Sequence, residues 1–167
     1  MTDALHALGC RLRVLTDADT PWQRALFAQS RPEFKWVPLP AIAREHLIAQ
    51  QYGLQHQHFI THHASADYLA IEHESDGAIG RWIVHRTYEP REWRIVDIAL
   101  EADWRGRGIG GALLRACQDA AAAEGCAVTL HVAHHNRDAR RLYEKLGFTL
   151  ASDTGTHAFM RWTPSDA

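Results

Sequence analysis

A glycine-rich segment in the second half of the chain constrains the fold more than any other feature of the sequence. Arg105–Gly111 reads RGRGIGG and lies between an apolar run that predicts a strand and a run with helical spacing. The N–H groups in the first turn of a helix have no backbone partners, and the helix dipole adds partial positive charge there. Glycines let the backbone approach a bound group, and Arg105 and Arg107 add charged donors. The segment therefore predicts a strand–loop–helix unit that binds phosphate, with a solvated turn as the alternative.

The same segment also matches the dinucleotide-binding pattern G-x-G-x-x-G through Gly106, Gly108 and Gly111. In that fold the pattern follows its strand directly, and an acidic residue ends the next strand about 20 positions further on. Here residues 101–104 intervene, and the next predicted strand ends in His131–His134. The strands before the segment also have the spacing of hairpins rather than of crossover units. A nicotinamide-dependent oxidoreductase is therefore the weaker interpretation.

Hydrophobic periodicity predicts alternating groups of strands and helices along the chain. The predicted strands cover residues 11–15, 68–72, 78–86, 93–100, 128–132, 148–151 and 157–162. The predicted helices cover residues 41–63, 108–124 and 137–146, after a first helix that begins between residues 17 and 20 and ends near 30. Residues 32–40 carry three prolines and predict a loop. This order predicts an α/β (α+β) fold with a mixed sheet.

The composition narrows the class of protein. A chain of 167 residues without an interdomain linker fits a single domain over residues 1–167. The net charge of −2 and the lack of blocks of like charge argue against nucleic acid or a membrane surface as a partner. No stretch approaches the roughly 18 apolar residues of a membrane span, and residues 1–9 lack the basic flank of a signal peptide. Three cysteines without a CxxC pair fit a reducing compartment, so we expect a cytoplasmic protein.

Twelve histidines raise the question of a metal site. His62–His63 and His134–His135 are adjacent pairs, and neighbouring residues on a regular element cannot both face one site. The sequence contains neither an HExxH motif nor a cysteine–histidine zinc spacing. We therefore expect scattered solvent-facing histidines and no metal.

Two motifs together resemble the GNAT superfamily of N-acetyltransferases. The pyrophosphate motif R/Q-x-x-G-x-G/A of that family is satisfied by Arg105-x-x-Gly108-x-Gly110. Residues 136–148, NRDARRLYEKLGF, are similar to the family segment N-x-x-A-x-x-x-Y-x-x-x-G-F that follows the next strand. The resemblance is specific over residues 93–148 and looser over residues 1–92. It implies one domain with a mixed, mostly antiparallel sheet of about seven strands flanked by about four helices.

The resemblance further implies an acetyl-CoA-dependent enzyme that acetylates a primary amine of a small molecule or protein by direct transfer in a ternary complex. Pantetheine would pair along the strand that ends in Ile98–Leu100, and this strand would separate from the strand at residues 128–132. Backbone N–H groups of the glycine-rich segment would bind the pyrophosphate, and Asn136 would contact the pantetheine arm. The implied coenzyme-binding residues are Ile98, Ala99, Leu100, Arg105, Gly106, Arg107, Gly108, Ile109, Gly110, Gly111 and Asn136.

Three candidate catalytic residues follow from the same resemblance. Tyr143 would protonate the departing thiolate, because a phenol with a pKa of about 10 can do so near neutral pH; the alternative is a core aromatic. A lysine-like amine is almost wholly protonated at pH 7, so a base is expected. His131 is expected to face the cleft where relatives often place an acid, and Asp97 lies on the opposing strand. For both, a structural hydrogen bond is the alternative.

A non-catalytic acyl-CoA-binding module is the second interpretation, since it would use the same phosphate site without releasing CoA. The acceptor is open, because a polyamine, an aminoglycoside, an amino acid and a protein N-terminus are all compatible with a mildly acidic chain. The polar face of the second helix, with Gln51, Tyr52, Gln55 and His58, is expected to line the acceptor pocket. Exposed strand edges in such folds often pair, so a homodimer is among the expected states.

Overall fold

Seven strands and five α-helices form the part of the chain that the computed structural model describes, residues 2–88 and 90–164 without the side chains of residues 2, 3 and 88. The strands are β1 (Cys10–Val14), β2 (Asp67–His73), β3 (Gly77–Tyr88), β4 (Arg91–Leu100), β5 (Ala127–Ala133), β6 (Thr149–Asp153) and β7 (His157–Trp162). The helices are α1 (Thr2–His6), α2 (Thr20–Gln29), α3 (Ala41–His62), α4 (Ile109–Ala123) and α5 (Arg137–Lys145), with short 3-10 turns at Asp17–Asp19, Pro32–Trp36 and Ala102–Trp104. None of these helices combines the length and the apolar character that crossing a bilayer requires.

All seven strands belong to one sheet, in the order β1-β2-β3-β4-β5-β7-β6. Every neighbouring pair is antiparallel except β4 and β5, which run parallel. The mixed, mostly antiparallel sheet expected from the sequence is therefore confirmed. Parallel neighbours need a long crossover connection, and α4 supplies it between β4 and β5.

A short N-terminal helix is the element that the sequence did not predict. α1 contains five residues, too few for a helical period to emerge from the pattern. Its Leu5 is 2% exposed and belongs to the main core. This fifth helix accompanies the roughly four that were expected, and packing against the core rather than local propensity stabilises so short a helix.

One face of the sheet, the core face, carries the main apolar core. Val128, Leu130 and Val132 alternate along β5, point into this core and are at most 4% exposed. Leu113 and Cys117 of α4 lie one helical turn apart and are fully buried against it. Burial of an aliphatic side chain of this size contributes about 1.5–3 kcal/mol. The core face therefore holds α4 on the sheet and fixes the place where that helix begins.

The opposite side of the sheet, the polar face, is partly covered by α2 and α3. Arg81 of β3 donates to Gln23 of α2 at 3.5 Å and to Gln55 of α3 at 3.2 Å. A second, smaller apolar cluster joins the two helices and contains Phe27, Phe34 and Tyr52. Alternation along β3, β4 and β5 gives the polar face the side chains of Arg81, Arg94, Asp97, Thr129 and His131.

A β-bulge in β4 controls which side chains point to each face. The pairing of β3 with β4 shifts by one residue, so Val96 has no residue opposite it. The extra residue resets the alternation of the strand. Asp97 consequently points to the polar face, and Ile98 packs against the core face.

β4 and β5 separate shortly after they meet. Their pairing covers four residues of each strand and ends at Ile95 and Leu130. β4 continues for five residues beyond that point and β5 for three. The separation expected for these strands is confirmed. It opens a cleft between residues 96–100 and residues 131–133.

Candidate functional site

The glycine-rich segment connects β4 to α4 and leaves the first turn of α4 open. Gly108 is the N-cap residue of α4 with φ of +84°, in the left-handed region that favours glycine. The first N–H groups of α4 lack intrahelical partners, as at the start of every helix. Gly108 has no side chain that could accept hydrogen bonds from them. Among the described residues, a Cβ added at Gly106 or Gly108 would meet no atom within 4 Å. Open amides beside open space fit an anionic group at this end of the helix.

The two arginines of the segment have different surroundings. Arg105 donates from Nε to the carbonyl oxygen of Leu100 at 2.9 Å, and its Nη2 lies 3.5 Å from the carbonyl oxygen of Gln29. Arg105 therefore braces the loop against the end of β4. Arg107 is exposed and places its guanidinium carbon 4.6 Å from the centroid of the Trp104 ring. Of the two expected phosphate donors, Arg107 is the one oriented away from the protein backbone.

The open end of α4 lies directly beside the cleft. The Cβ position of Gly110 is 3.7 Å from Cδ1 of Ile98 and 3.9 Å from Cδ2 of Leu142. β4, α4 and α5 therefore meet within van der Waals distance at this point. The structure brings residues 98–100 and 108–111 together, as the resemblance implies for coenzyme-binding residues.

Tyr143 lies on α5 at the same junction. Its side chain is 6% exposed and packs edge-on against Phe148, with ring centroids 5.9 Å apart. Burial raises the pKa of Tyr143 to about 12, and the negative charge of Asp97 adds to the rise. Tyr143 is therefore a core aromatic whose hydroxyl stays protonated at neutral pH, and its role as an acid remains a prediction.

Asn136 serves as the cap of α5. Its side-chain Oδ1 accepts a hydrogen bond from the backbone N–H of Ala139 at 3.3 Å. This is the N-cap role that the residue type favours. The cap uses one acceptor position of the Asn136 side chain, and its amide nitrogen is free of this bond and could donate to a ligand.

Asp97 is held in an ion pair on the polar face. Its Oδ2 lies 2.9 Å from Nε of Arg81, whose side chain is 4% exposed. The guanidinium carbon of Arg81 also lies 5.9 Å from the centroid of the Phe59 ring, and the group donates to Gln23 and Gln55. Local spacing in the chain does not predict this partner, because Arg81 and Asp97 meet only through the pairing of β3 with β4.

His131 lies at the mouth of the cleft, one residue beyond the last paired residue of β5. Its ring packs against Phe159 of β7, with centroids 4.8 Å apart. Partial burial lowers the pKa of His131, and the positive charges of Arg94 and His157 lower it further. The imidazole is therefore mainly neutral at pH 7 and able to accept a proton.

A buried carboxylate with two arginines is a feature of the polar face that the sequence did not reveal. Glu92 is 2% exposed and accepts hydrogen bonds from Arg94 at 2.8 Å, Arg161 at 3.2 Å and Thr129 at 3.2 Å. The partners come from β4, β5 and β7 and are up to 69 residues apart in the chain. Because only the sheet brings them together, local spacing carried no signal for the cluster.

A pair of histidines is a second unforeseen feature. Nδ1 of His63 lies 3.0 Å from Nδ1 of His85, and Nε2 of His85 lies 2.9 Å from Oγ of Ser65. Burial lowers the pKa of His63 to about 4, and the neighbouring His85 contributes to the shift. His63 therefore stays neutral at pH 7, and in the contact between the two Nδ1 atoms one ring donates and the other accepts. In the described part of the chain, no group of three or more metal-binding side chains converges.

The expected lining of the acceptor pocket by α3 needs correction. Tyr52 is 4% exposed and packs in the second apolar cluster, so it does not line an open pocket. Gln55 accepts a hydrogen bond from Arg81. His58 is exposed and stacks on His62, with ring centroids 4.2 Å apart. Of these residues of α3, Gln55 is the one that forms a hydrogen bond with a side chain beside the cleft, that of Arg81.

Comparison with known proteins adds a relative in sequence. Residues 21–148 match the acetyltransferase (GNAT) family. The chain is similar to the uncharacterized N-acetyltransferase YhfO of Bacillus subtilis (strain 168), with 48% identity over 92 residues. That similarity covers 52% of this chain and 60% of the relative, so it spans less than two thirds of the relative's length.

Solved structures with the same fold cover nearly the whole chain. The PaiA N-acetyltransferase of Thermoplasma acidophilum, in complex with coenzyme A, has a TM-score of 0.69 at 18% identity and covers 93% of this chain and 99% of its own. The spermidine N-acetyltransferase of Vibrio cholerae, in complex with CoA and spermine, has a TM-score of 0.64 at 19% identity and covers 95% and 97%. At such identities the likeness is one of fold. The family match, however, extends from α2 through α5 and includes both motifs. This chain therefore belongs to the acetyltransferase (GNAT) family.

Proposed function

We propose that this chain is an acetyl-CoA-dependent N-acetyltransferase, which moves an acetyl group to a primary amine of a small molecule or protein by direct transfer in a ternary complex. The observation that carries the proposal is the open N-terminus of α4 beside the cleft between β4 and β5. Membership of the family supports it, as do the coenzyme A complexes of two proteins with the same fold. A thioester is already activated, so the enzyme mainly positions the amine and moves protons.

The residues around the cleft fit coenzyme A as a substrate. The N–H groups of Ile109–Gly111 and the exposed Arg107 would bind the pyrophosphate, because a helix N-terminus favours negative charge. Residues 98–100 of β4 have no strand beside them on the β5 side in the described structure, so their backbone groups are available to pantetheine. The side-chain nitrogen of Asn136 would complete the contact with the arm.

We assign the role of base to His131. In the transfer, the amine nitrogen forms a bond to the acetyl carbon, the carbon–sulfur bond breaks, and its electron pair stays on sulfur. The proton lost by the amine goes to the neutral imidazole of His131, which lies at the mouth of the cleft. Asp97 is the weaker candidate, because its carboxylate is committed to Arg81. Tyr143 would donate a hydrogen bond to the departing sulfur.

Calorimetry with CoA tests the phosphate site. Arg107→Glu reverses a charge beside the open end of α4, so we expect at least a tenfold loss of CoA affinity. Arg24→Glu is the matched control, because it reverses the same charge at an exposed position of α2 on the other side of the sheet. A folded wild-type protein that binds no CoA would overturn the proposal.

Thiol release from acetyl-CoA with a panel of amines tests the chemistry. The proposal expects release that depends on the amine and that is lost together with CoA binding in Arg107→Glu. CoA binding without release for any amine would indicate a non-catalytic acyl-CoA-binding module instead. The two assays together therefore separate a binding protein from an enzyme.

We also propose the cytoplasm as the compartment and a homodimer as an assembly. Cys10, Cys117 and Cys126 are free and buried, which fits a reducing environment. β1 and β6 form the two edges of the sheet, and every residue of β6 is exposed. An exposed strand edge is the surface through which a second copy could pair. Size-exclusion chromatography with light scattering tests the assembly.

A further inference from the structure

The polar face beside the cleft presents positive charge outward and keeps its negative charge inside. Glu92 has a side chain 3% exposed, whereas those of its partners Arg94 and Arg161 are 32% and 42% exposed. The other carboxylate near the cleft, Asp97, is neutralised by Arg81. An arriving acceptor therefore meets guanidinium groups before it meets a free carboxylate.

Arg94 is incompletely bonded by the protein. Its Nη2 donates to Glu92, but its Nε is buried and has no hydrogen-bond partner among the described residues. The guanidinium carbon lies 5.9 Å from the centroid of the Phe159 ring, which supports one side of the group. A guanidinium offers five N–H donors in a planar fork that matches a carboxylate. Because Nε is closed off from solvent, an arriving carboxylate would reach the N–H donors of the partly exposed end of the guanidinium, for which the described residues supply no acceptor other than Glu92.

The position of Arg94 connects it to the reacting centre. Arg94 lies opposite Thr129 in the pairing of β4 with β5, immediately before the last pair. His131 is two residues beyond Thr129, on the same face and about 7 Å along the strand. The charge of Arg94 also acts on His131, whose pKa it helps to lower. A small molecule could therefore contact Arg94 with one group and present an amine to His131 with another.

Resting on the proposed N-acetyltransferase function, we infer that the acceptor is an amine that carries a carboxylate a few bonds away, as an amino acid does, and that Arg94 binds this carboxylate. Transfer then forms the bond from nitrogen to the acetyl carbon and breaks the bond to sulfur, giving an N-acetylated amino acid and CoA. The carboxylate takes no part in the bond changes and orients the amine toward the cleft. A polycationic amine would find like charge from Arg94 and Arg161 at the same place, and both carboxylates there are already paired.

Matched acceptors test the inference. Each of several amino acids is compared with its own α-amide, which keeps the amine and side chain but lacks the negative charge, and spermidine represents polyamines. The readout is thiol release from acetyl-CoA by the wild-type protein. We expect kcat/KM for the acids to exceed that for the amides by tenfold or more, as a lost charge-assisted hydrogen bond would produce.

Variants of two arginines assign the effect to a residue. Arg94→Gln should raise KM for the acids about tenfold or more, with a much smaller change in KM for the amides, and Arg94→Lys should restore part of the preference. Arg86→Gln is the control, because Arg86 is an exposed residue of β3 that pairs with Asp67 and lies over Trp93. It removes the same charge without touching the polar face and should keep the wild-type preference.

The outcomes separate this inference from the function on which it rests. Amides or spermidine that react as well as the acids, or better, would overturn the inference and leave the N-acetyltransferase standing. Release with none of the amines would overturn the proposed function and the inference with it. If Arg94→Gln does not fold, the ratio of kcat/KM for the acids to kcat/KM for the amides, measured on the wild-type protein, still decides whether the inference holds.

Discussion

Replacing Tyr143 by phenylalanine removes one hydroxyl from the cleft and little else. The side chain is 6% exposed, and its ring contact with Phe148 would remain in the variant. The hydroxyl is not among the fully buried polar atoms that lack a hydrogen-bond partner, and none of the hydrogen bonds between described side chains involves it, so its removal leaves no protein group unsatisfied. We therefore expect the free energy of unfolding to change by less than about 1 kcal/mol. Any large loss of rate can then be assigned to chemistry rather than to folding.

The size of the rate effect follows from the pKa of the phenol. Burial raises the pKa of Tyr143 to about 12, whereas a thiol has a reference pKa of about 8.5. Complete proton transfer from phenol to thiolate would run uphill by about 3.5 pKa units, or roughly 5 kcal/mol. In the proposed reaction, Tyr143 would therefore act as a hydrogen-bond donor to the sulfur as negative charge develops, rather than as a full proton donor. Removing one such preorganised donor costs about 10²- to 10³-fold in kcat.

Three measurements on Tyr143→Phe check this reasoning. Thiol release should fall by about 10²-fold or more, CoA affinity should stay within a factor of two or three, as for a contact absent from the ground state, and thermal unfolding should be unchanged. A variant that keeps wild-type kcat would refute the role of the hydroxyl at the sulfur. A variant that loses CoA binding would show instead that the hydroxyl contributes to the binding of CoA before any reaction takes place.

Three further outcomes are expected. Gly80→Ala would place a Cβ 2.7 Å from a carbonyl oxygen of β4, so the free energy of unfolding in urea should fall by about 1–3 kcal/mol. Gly53→Ala has no described atom within 4 Å of its added Cβ, so the same free energy should rise by about 0.5–1 kcal/mol. Because the pKa of His131 is lowered, kcat/KM should rise with pH in the range below 6.5, where the ring loses its proton. The part of this rise that is due to His131 should be absent from the pH profile of His131→Gln. The Arg13 guanidinium holds the pKa of Asp19 well below its usual range, so Asp19→Asn should cost about 1 kcal/mol at pH 7. That difference, measured by urea unfolding, should begin to shrink as pH falls below about 4, where Asp19 protonates in the unfolded chain, and should vanish only when the pH reaches the lower pKa of Asp19 in the folded protein.

The elements predicted from the sequence were those with their own local signal. The helix after Gly108 and the one after Asn136 each have an N-terminal cap position and an apolar stripe, and both lie where the pattern predicted them. α1 was missed because five residues hold barely more than one turn. What makes it a helix is the burial of Leu5 against the sheet, which no window of local sequence contains.

The candidate site was predicted in part for the same reason. Residues 98–100 and 108–111 belong to one strand–loop–helix unit, so proximity in the chain makes them neighbours in the fold. The partners of the polar face meet only across the sheet, as Glu92 and Arg161 do. Asp97 could be proposed as a base because its position on β4 was visible, whereas its ion pair with Arg81 was not. Strand register, including the bulge at Val96, decided which of these groups face one another.

The short parallel pairing of β4 with β5 affects how firmly the two parts of the sheet are joined. It joins two antiparallel groups of strands, β1–β4 and β5–β7, and the polypeptide crosses between them once, through α4. Four pairs of residues in the backbone pairing and a single covalent link thus connect the two groups across the sheet. A pantetheine arm lying where the strands part would contact both groups and add to their connection. Saturating CoA should therefore slow amide hydrogen exchange in β4 and in β5 alike, as expected when a ligand binds only the assembled state.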